Sequence, residues 1–91
     1  MKARIKLDLM ELMMVPGLSG HEDLIRAEIR KKLKAEDIKC ESDRLGNLIS
    51  TFTGDAGPSV MVFAHMDQLG FVVRKINDDG IINVVRMGGV P

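Results

Sequence analysis

Apolar side chains at Ile5, Leu9, Leu12 and Met13 recur at helical intervals, and Pro16-Gly17 closes the stretch. A first helix is therefore expected across Ile5 to Val15. Ser19-Gly20-His21-Glu22 has the form of a capping box, with the Ser19 hydroxyl and the Glu22 carboxylate each taking a backbone N–H of the other. It predicts a second helix from about Gly20 to Lys34, with Ile25, Ile29 and Leu33 as the buried stripe and Leu24 beside it. Arg30, Lys31, Lys32 and Lys34 crowd its last turns and read as a solvated helix end. Beyond Lys34 the period falls to two. Strands are expected at Ile38–Ser42 and Leu48–Thr53 around an Asp43-Arg44-Leu45-Gly46-Asn47 turn, where Gly46 is available for positive φ. A loop at 54–58 leads into an apolar strand, Ser59 to Ala64. Phe71–Ile76 and Ile81–Val85 flank Asn77-Asp78-Asp79-Gly80, a hairpin signal. No internal repeat is visible, and Met87-Gly88-Gly89-Val90-Pro91 reads as a mid-protein turn.

Composition alters this picture little. The chain has 91 residues, 45% of them hydrophobic and 29% charged, with 13 acidic residues against 13 basic ones. That balance gives no electrostatic reason to expect nucleic acid or an anionic membrane as partner. No apolar run approaches the roughly 20 residues that span a bilayer. Asp8 and Glu11 break up the stretch after the basic start, so no signal peptide is expected. The lone Cys40 excludes an internal disulfide and CxxC metal sites, and fits a reducing cytoplasm. One small domain is expected, burying roughly 60–65% of its unfolded surface. With no Trp or Tyr, three Phe and seven Met, its core would rest on aliphatic and Met packing, which specifies shape weakly. Such a chain has some reason to complete its core against other polypeptide.

The candidate chemistry sits where the apolar strand ends, at Ala64-His65-Met66-Asp67-Gln68. Residues i and i+2 of an extended chain face the same way, so Asp67 can lie beside His65. The carboxylate could share a metal with the imidazole, or accept its second ring N–H and fix its tautomer. A core histidine followed by an ordinary turn aspartate is equally compatible with the spacing. His21 reads as a solvated surface residue. A catalytic zinc takes about three protein ligands and an open position, and Asp43, Asp55, Asp78 and Asp79 all fall in turns with nothing directing them at His65. There is no HExxH helix, no nucleophile elbow around Ser19, Ser42, Ser50 or Ser59, no local activator for Cys40 and no glycine-rich phosphate loop. The residues by themselves give half a metal site.

Four blocks extend the reading. Val15-Pro16-Gly17-Leu18-Ser19-Gly20-His21-Glu22 resembles the opening signature of the tetrahedral (TET) aminopeptidases, the co-catalytic metallopeptidases that include glutamyl and deblocking aminopeptidases. Asp43-Arg44-Leu45-Gly46-Asn47-Leu48 is similar to their D-x-L-G-N hairpin, Ala64 to Phe71 to their AHMDE/Q-[IL]-G block, and Gly88-Gly89-Val90 to a later glycine turn. Order and intervals match throughout. The resemblance covers essentially all of this chain, but only the first part of the family's longer one. It implies that His65 is a ligand of one of two divalent ions, zinc or cobalt, and that Asp67 is the catalytic-site carboxylate that orients His65 and tunes the metal. The bridging aspartate, the glutamate base with its neighbouring ligand glutamate, a further aspartate and the second histidine of the family have no counterpart among these 91 residues.

The resemblance also implies an architecture. The fold class expected is α/β: the start of an α/β/α zinc-exopeptidase-like sandwich over residues 1–69, then the opening hairpin of an inserted, β-rich, PDZ-like dimerisation domain over residues 70–91. It implies a peptide substrate and homo-oligomers, dimers assembling to a dodecamer. The leading expectation is an N-terminal portion of a cytoplasmic aminopeptidase, inactive in isolation. A non-catalytic binding or assembly module is the alternative. An endoglucanase, a label members of the family have also carried, ranks last, because it would need two opposed carboxylates across a sugar cleft and no such pair is identifiable.

Overall fold

The structure is a computed structural model describing residues 1–91. It has the order of an α/β start: helices α1 (Lys2–Met13) and α2 (Asp23–Ala35), a short pair β1 (Glu41–Ser42) and β2 (Leu48–Ile49), then a longer pair β3 (Gly70–Ile76) and β4 (Ile82–Met87). Both pairs are antiparallel and form separate two-stranded sheets.

Helix α1 lies one turn earlier than its apolar spacing suggested, and none of its residues is buried. It is tied to α2 by charge. Lys32 Nζ donates to Asp8 Oδ1 at 3.0 Å and also to Glu11, while Arg4 pairs with Glu36. The Arg30–Lys34 cluster is thus not wholly a solvated helix end, since Lys32 is turned inward as a clasp.

Helix α2 starts at Asp23, three residues later than expected, and the capping box does not form. Leu18 to His21 instead makes a tight turn, His21 N–H donating to the Leu18 carbonyl at 2.8 Å with Gly20 at φ +81°. Glycine at the third position satisfies the positive φ such a turn demands. The turn leaves Ser19 unable to cap, and Glu22 takes the Gly20 N–H at 2.7 Å instead. Of the expected stripe, Ile25 is 4% exposed and Ile29 and Leu33 are half-buried.

The 43–47 turn forms as expected, but its strands shrink to two residues each, with Glu41 opposite Ile49 and Ser42 opposite Leu48. Ser59–Ala64 forms no strand ladder at all. A strand buried on both faces needs neighbours on both edges, and no other segment of these residues lies beside it. Val62, at its middle, is 93% exposed. The β3–β4 hairpin is the most regular element. Asn77 N–H donates to the Ile81 carbonyl at 2.8 Å, and Gly80 takes φ +85°. A bulge between Val73 and Lys75 opposes Arg74 to no partner and reverses the side-chain alternation there.

Buried residues number two, Gly17 and Ile25. They touch: a Cβ on Gly17 would stand 2.7 Å from Ile25 Cγ2. The expected single small core is not present. The accessible surface is 8341 Å², against about 5,300 Å² for a compact monomer of this mass.

Candidate metal centre

The one buried node holds the site together. Gly17, pressed on Ile25, offers its carbonyl to the Gln68 N–H at 2.8 Å, and the Gln68 side-chain amide donates to the Val15 carbonyl at 2.8 Å. Two hydrogen bonds therefore fasten the 64–70 segment to the loop after α1. Gly70 lies against Leu18, where a Cβ would collide with the leucine side chain. These contacts fix the backbone just after Asp67.

His65 and Asp67 come together as their spacing predicted. His65 Nδ1 lies 2.9 Å from the Asp67 carbonyl oxygen and 3.0 Å from Asp67 Oδ1. Both oxygens can only accept, so Nδ1 carries the proton. In the neutral ring that assigns the lone pair to Nε2. The His65 side chain is 84% exposed and Asp67 33%, so the ring is held at one edge and open at the other. This is the donor arrangement a metal-binding histidine requires. No group of three His, Cys, Asp or Glu side chains that could hold a metal occurs in the structure. A metal at Nε2 would thus need further ligands from other polypeptide.

The second block contributes a wall. Asp43 Oδ1 accepts the N–H groups of Leu45 and Asn47 at 2.9 Å each, and Asp43 Oδ2 accepts from the Asn47 side-chain amide at 2.7 Å. Those donors, the Asn47 amide first, hold the Asp43 carboxyl below the usual carboxylate range. The turn is closed by Gly46 at φ +86°. Asp43 is spent on the turn and offers nothing to His65.

A cavity of about 160 Å³ lies where the blocks meet. Glu22 and Arg26 line it from the start of α2, Leu45, Gly46 and Asn47 from the turn, and His65, Met66 and Asp67 from the extended segment before β3. Three stretches far apart in sequence thus converge on one small space, with room for an ion and its waters and too little for a drug-sized ligand. Of its organisers, the sequence marks Gln68 only as a member of the Ala64–Phe71 block, without a role, and does not mark Arg26. Arg26 stands four residues after Glu22 and so shares its helix face, the one signal available. Nothing in the spacing marks Gln68. His21, read as a surface residue, is exposed.

A family model for the M42 glutamyl aminopeptidases matches residues 46–91, half of the chain. The chain belongs to this family. It is 47% identical over 76 residues to the lysyl aminopeptidase of Pyrococcus furiosus, an alignment spanning 82% of this chain and 22% of that protein. It is 34% identical over 77 residues to the glutamyl aminopeptidase of Lactococcus lactis, again 82% of this chain and 22% of the relative. The M42 chain therefore spans about a fifth of the length of these relatives. No helix in it is long and apolar enough to cross a membrane.

Proposed function

We propose that this M42 chain supplies one corner of a dinuclear metallo-aminopeptidase that releases N-terminal residues from peptides. The observation that carries the reading is the pose of His65. Its Nδ1–H is held by Asp67 at 3.0 Å, and its ring lines the cavity that the other blocks share. His65 would hold one of two divalent ions, zinc or cobalt, through Nε2. Asp67 would keep the ring in the Nε2-ligating tautomer. Such ions, when bound, polarise a peptide carbonyl and lower the pKa of a bound water. The chain's own residues would orient the imidazole and wall the space: Asp67 holds the ring, Gln68 fastens the segment after it to the Val15–Gly17 loop, and the Leu45–Asn47 turn lines the cavity.

We place the remaining ligands and the general base in polypeptide outside residues 1–91. On the same reading residues 1–69 belong to an α/β/α catalytic sandwich, in which Ser59–Ala64 is an inner strand flanked by segments outside this stretch. Residues 70–91 open a PDZ-like insert serving homo-oligomerisation, dimers within a dodecamer, in the cytoplasm. The bare apolar side chains of Val60 to Phe63 support the inner-strand reading of that segment.

The reading is tested by assaying the full-length protein on aminoacyl-p-nitroanilides. Turnover should require added zinc or cobalt and vanish in His65→Ala. Asp67→Asn should lower activity or metal affinity about 10–100-fold. Peptide binding without metal-dependent hydrolysis would instead identify a non-catalytic module.

A further inference from the structure

Arg26 makes contacts that the proposed chemistry does not use. Its side chain is 19% exposed, although nothing about an arginine on the first turn of a helix requires burial. Its Nε–H donates to the Gly46 carbonyl at 2.6 Å, and its Nη1–H to Asp23 Oδ1 at 2.8 Å. Glu22 Oε2 stands 4.0 Å from Nη2. The guanidinium lies so close on Gly46 that a Cβ there would overlap it. Arg26 thus joins the start of α2 to the middle of the Asp43–Asn47 turn, and the same three residues, Glu22, Arg26 and Gly46, line the cavity that His65 and Asp67 enter.

Two roles are open to a cation in that position, and charge decides between them. A guanidinium that recognises a substrate carboxylate needs uncommitted N–H groups. Here the Gly46 carbonyl and the Asp23 carboxylate accept from Nε and Nη1, and the Glu22 carboxylate stands 4.0 Å from Nη2. These two acids against one cation leave the surroundings net negative, which disfavours a further carboxylate from a substrate. The planar fork of donors suits a different task, holding one backbone carbonyl while anchored to a helix.

We propose that Arg26 is a positioning residue for the metal centre: through the Gly46 carbonyl it holds the Asp43–Asn47 turn as one wall of the cavity that His65 and Asp67 also line. This deepens the reading of His65 as a ligand and rests on it. Arginine is required for its geometry. Lysine gathers its three donors on a single nitrogen and lacks the separated, coplanar Nε and Nη1 with which the guanidinium reaches the Gly46 carbonyl and Asp23 at once. Methionine keeps the apolar stem and loses both.

The test uses the full-length protein with Arg26→Met and Arg26→Lys, measuring amide exchange across residues 43–47 and His65-dependent cobalt(II) affinity by the visible absorption of the bound ion. In Arg26→Met, exchange at Gly46 and Asn47 should accelerate and cobalt affinity fall about tenfold, the low end of what residues that orient metal ligands contribute. Arg26→Lys should recover part of both. Faster exchange with unchanged affinity would overturn the proposal, reducing Arg26 to a stay for the turn. Unchanged exchange would overturn it outright. Absence of His65-dependent cobalt binding in the parent protein would refute the ligand reading instead, and the link of Arg26 to the turn would then stand or fall on exchange alone.

Discussion

At the scale of single residues, the Asp43–Asn47 turn is the most determined part of the chain. Asp43 receives three donors, so its carboxylate form is favoured in the folded turn and its pKa is lowered from 3.8. A lowered folded-state pKa gives stability that is present above the unfolded value and lost as pH falls through the folded one. Amide protection at Leu45 and Asn47 should therefore hold from neutrality to about pH 4 and fail below it, and Asp43→Ala should remove it at every pH. Gly46→Ala should cost about 1–2 kcal/mol through its left-handed φ alone, and more from the overlap with Arg26; thermal unfolding measures the sum. Much here was legible beforehand. Gly46 was recognisable as the residue able to take positive φ, and His65 and Asp67 as sharing a face, because both follow from local geometry. Arg26 and Gln68 act across 20 and 53 positions, and no local pattern encodes such a reach.

Among the elements, the two helices are joined by charge more than by packing. Lys32 is drawn above its usual 10.5 by Glu11 and Asp8, and Asp8 is drawn below 3.8 chiefly by Lys32. The lysine's contribution is complete below its unfolded pKa and lost as pH rises through the folded one, while the aspartate's is lost as pH falls through its own. The α1–α2 contact should accordingly persist between about pH 4 and pH 10 and loosen outside that window or in high salt. Lys32→Met should remove the alkaline limit and weaken the acid one, where Arg4–Glu36 remains, read by exchange in α1. Ile25→Ala should cost about 2 kcal/mol, the lower end for such a deletion because the site is open at its edges. The β3–β4 hairpin was legible from its turn residues, and its strands agree within two residues. The start of α2 was not, because the Leu18–His21 turn competed for the same Ser-Gly-His-Glu letters and Gly20 favoured the turn. Ser59–Ala64 forms no ladder within residues 1–91 for a different reason: an apolar run states a need for neighbours and cannot supply them.

For the whole molecule, the dimensions carry the argument. The radius of gyration is 17.3 Å, where a compact domain of this length has about 12 Å. Apolar side chains from Val60 to Phe63 stand in the open, a patch of the kind that marks an interaction surface or an aggregation risk. Residues 1–91 expressed alone should therefore self-associate, and Val62→Lys should shift their sedimentation toward monomer. In the proposed M42 assembly the same surface is covered and His65 acquires its partner ligands. The most direct measurement is the number of divalent ions bound tightly per full-length chain, by titration calorimetry with zinc, in the parent and in His65→Ala. Two ions in the parent and loss of at least one in the variant are expected. Equal stoichiometry and affinity in both would contradict the assignment of His65 as a ligand.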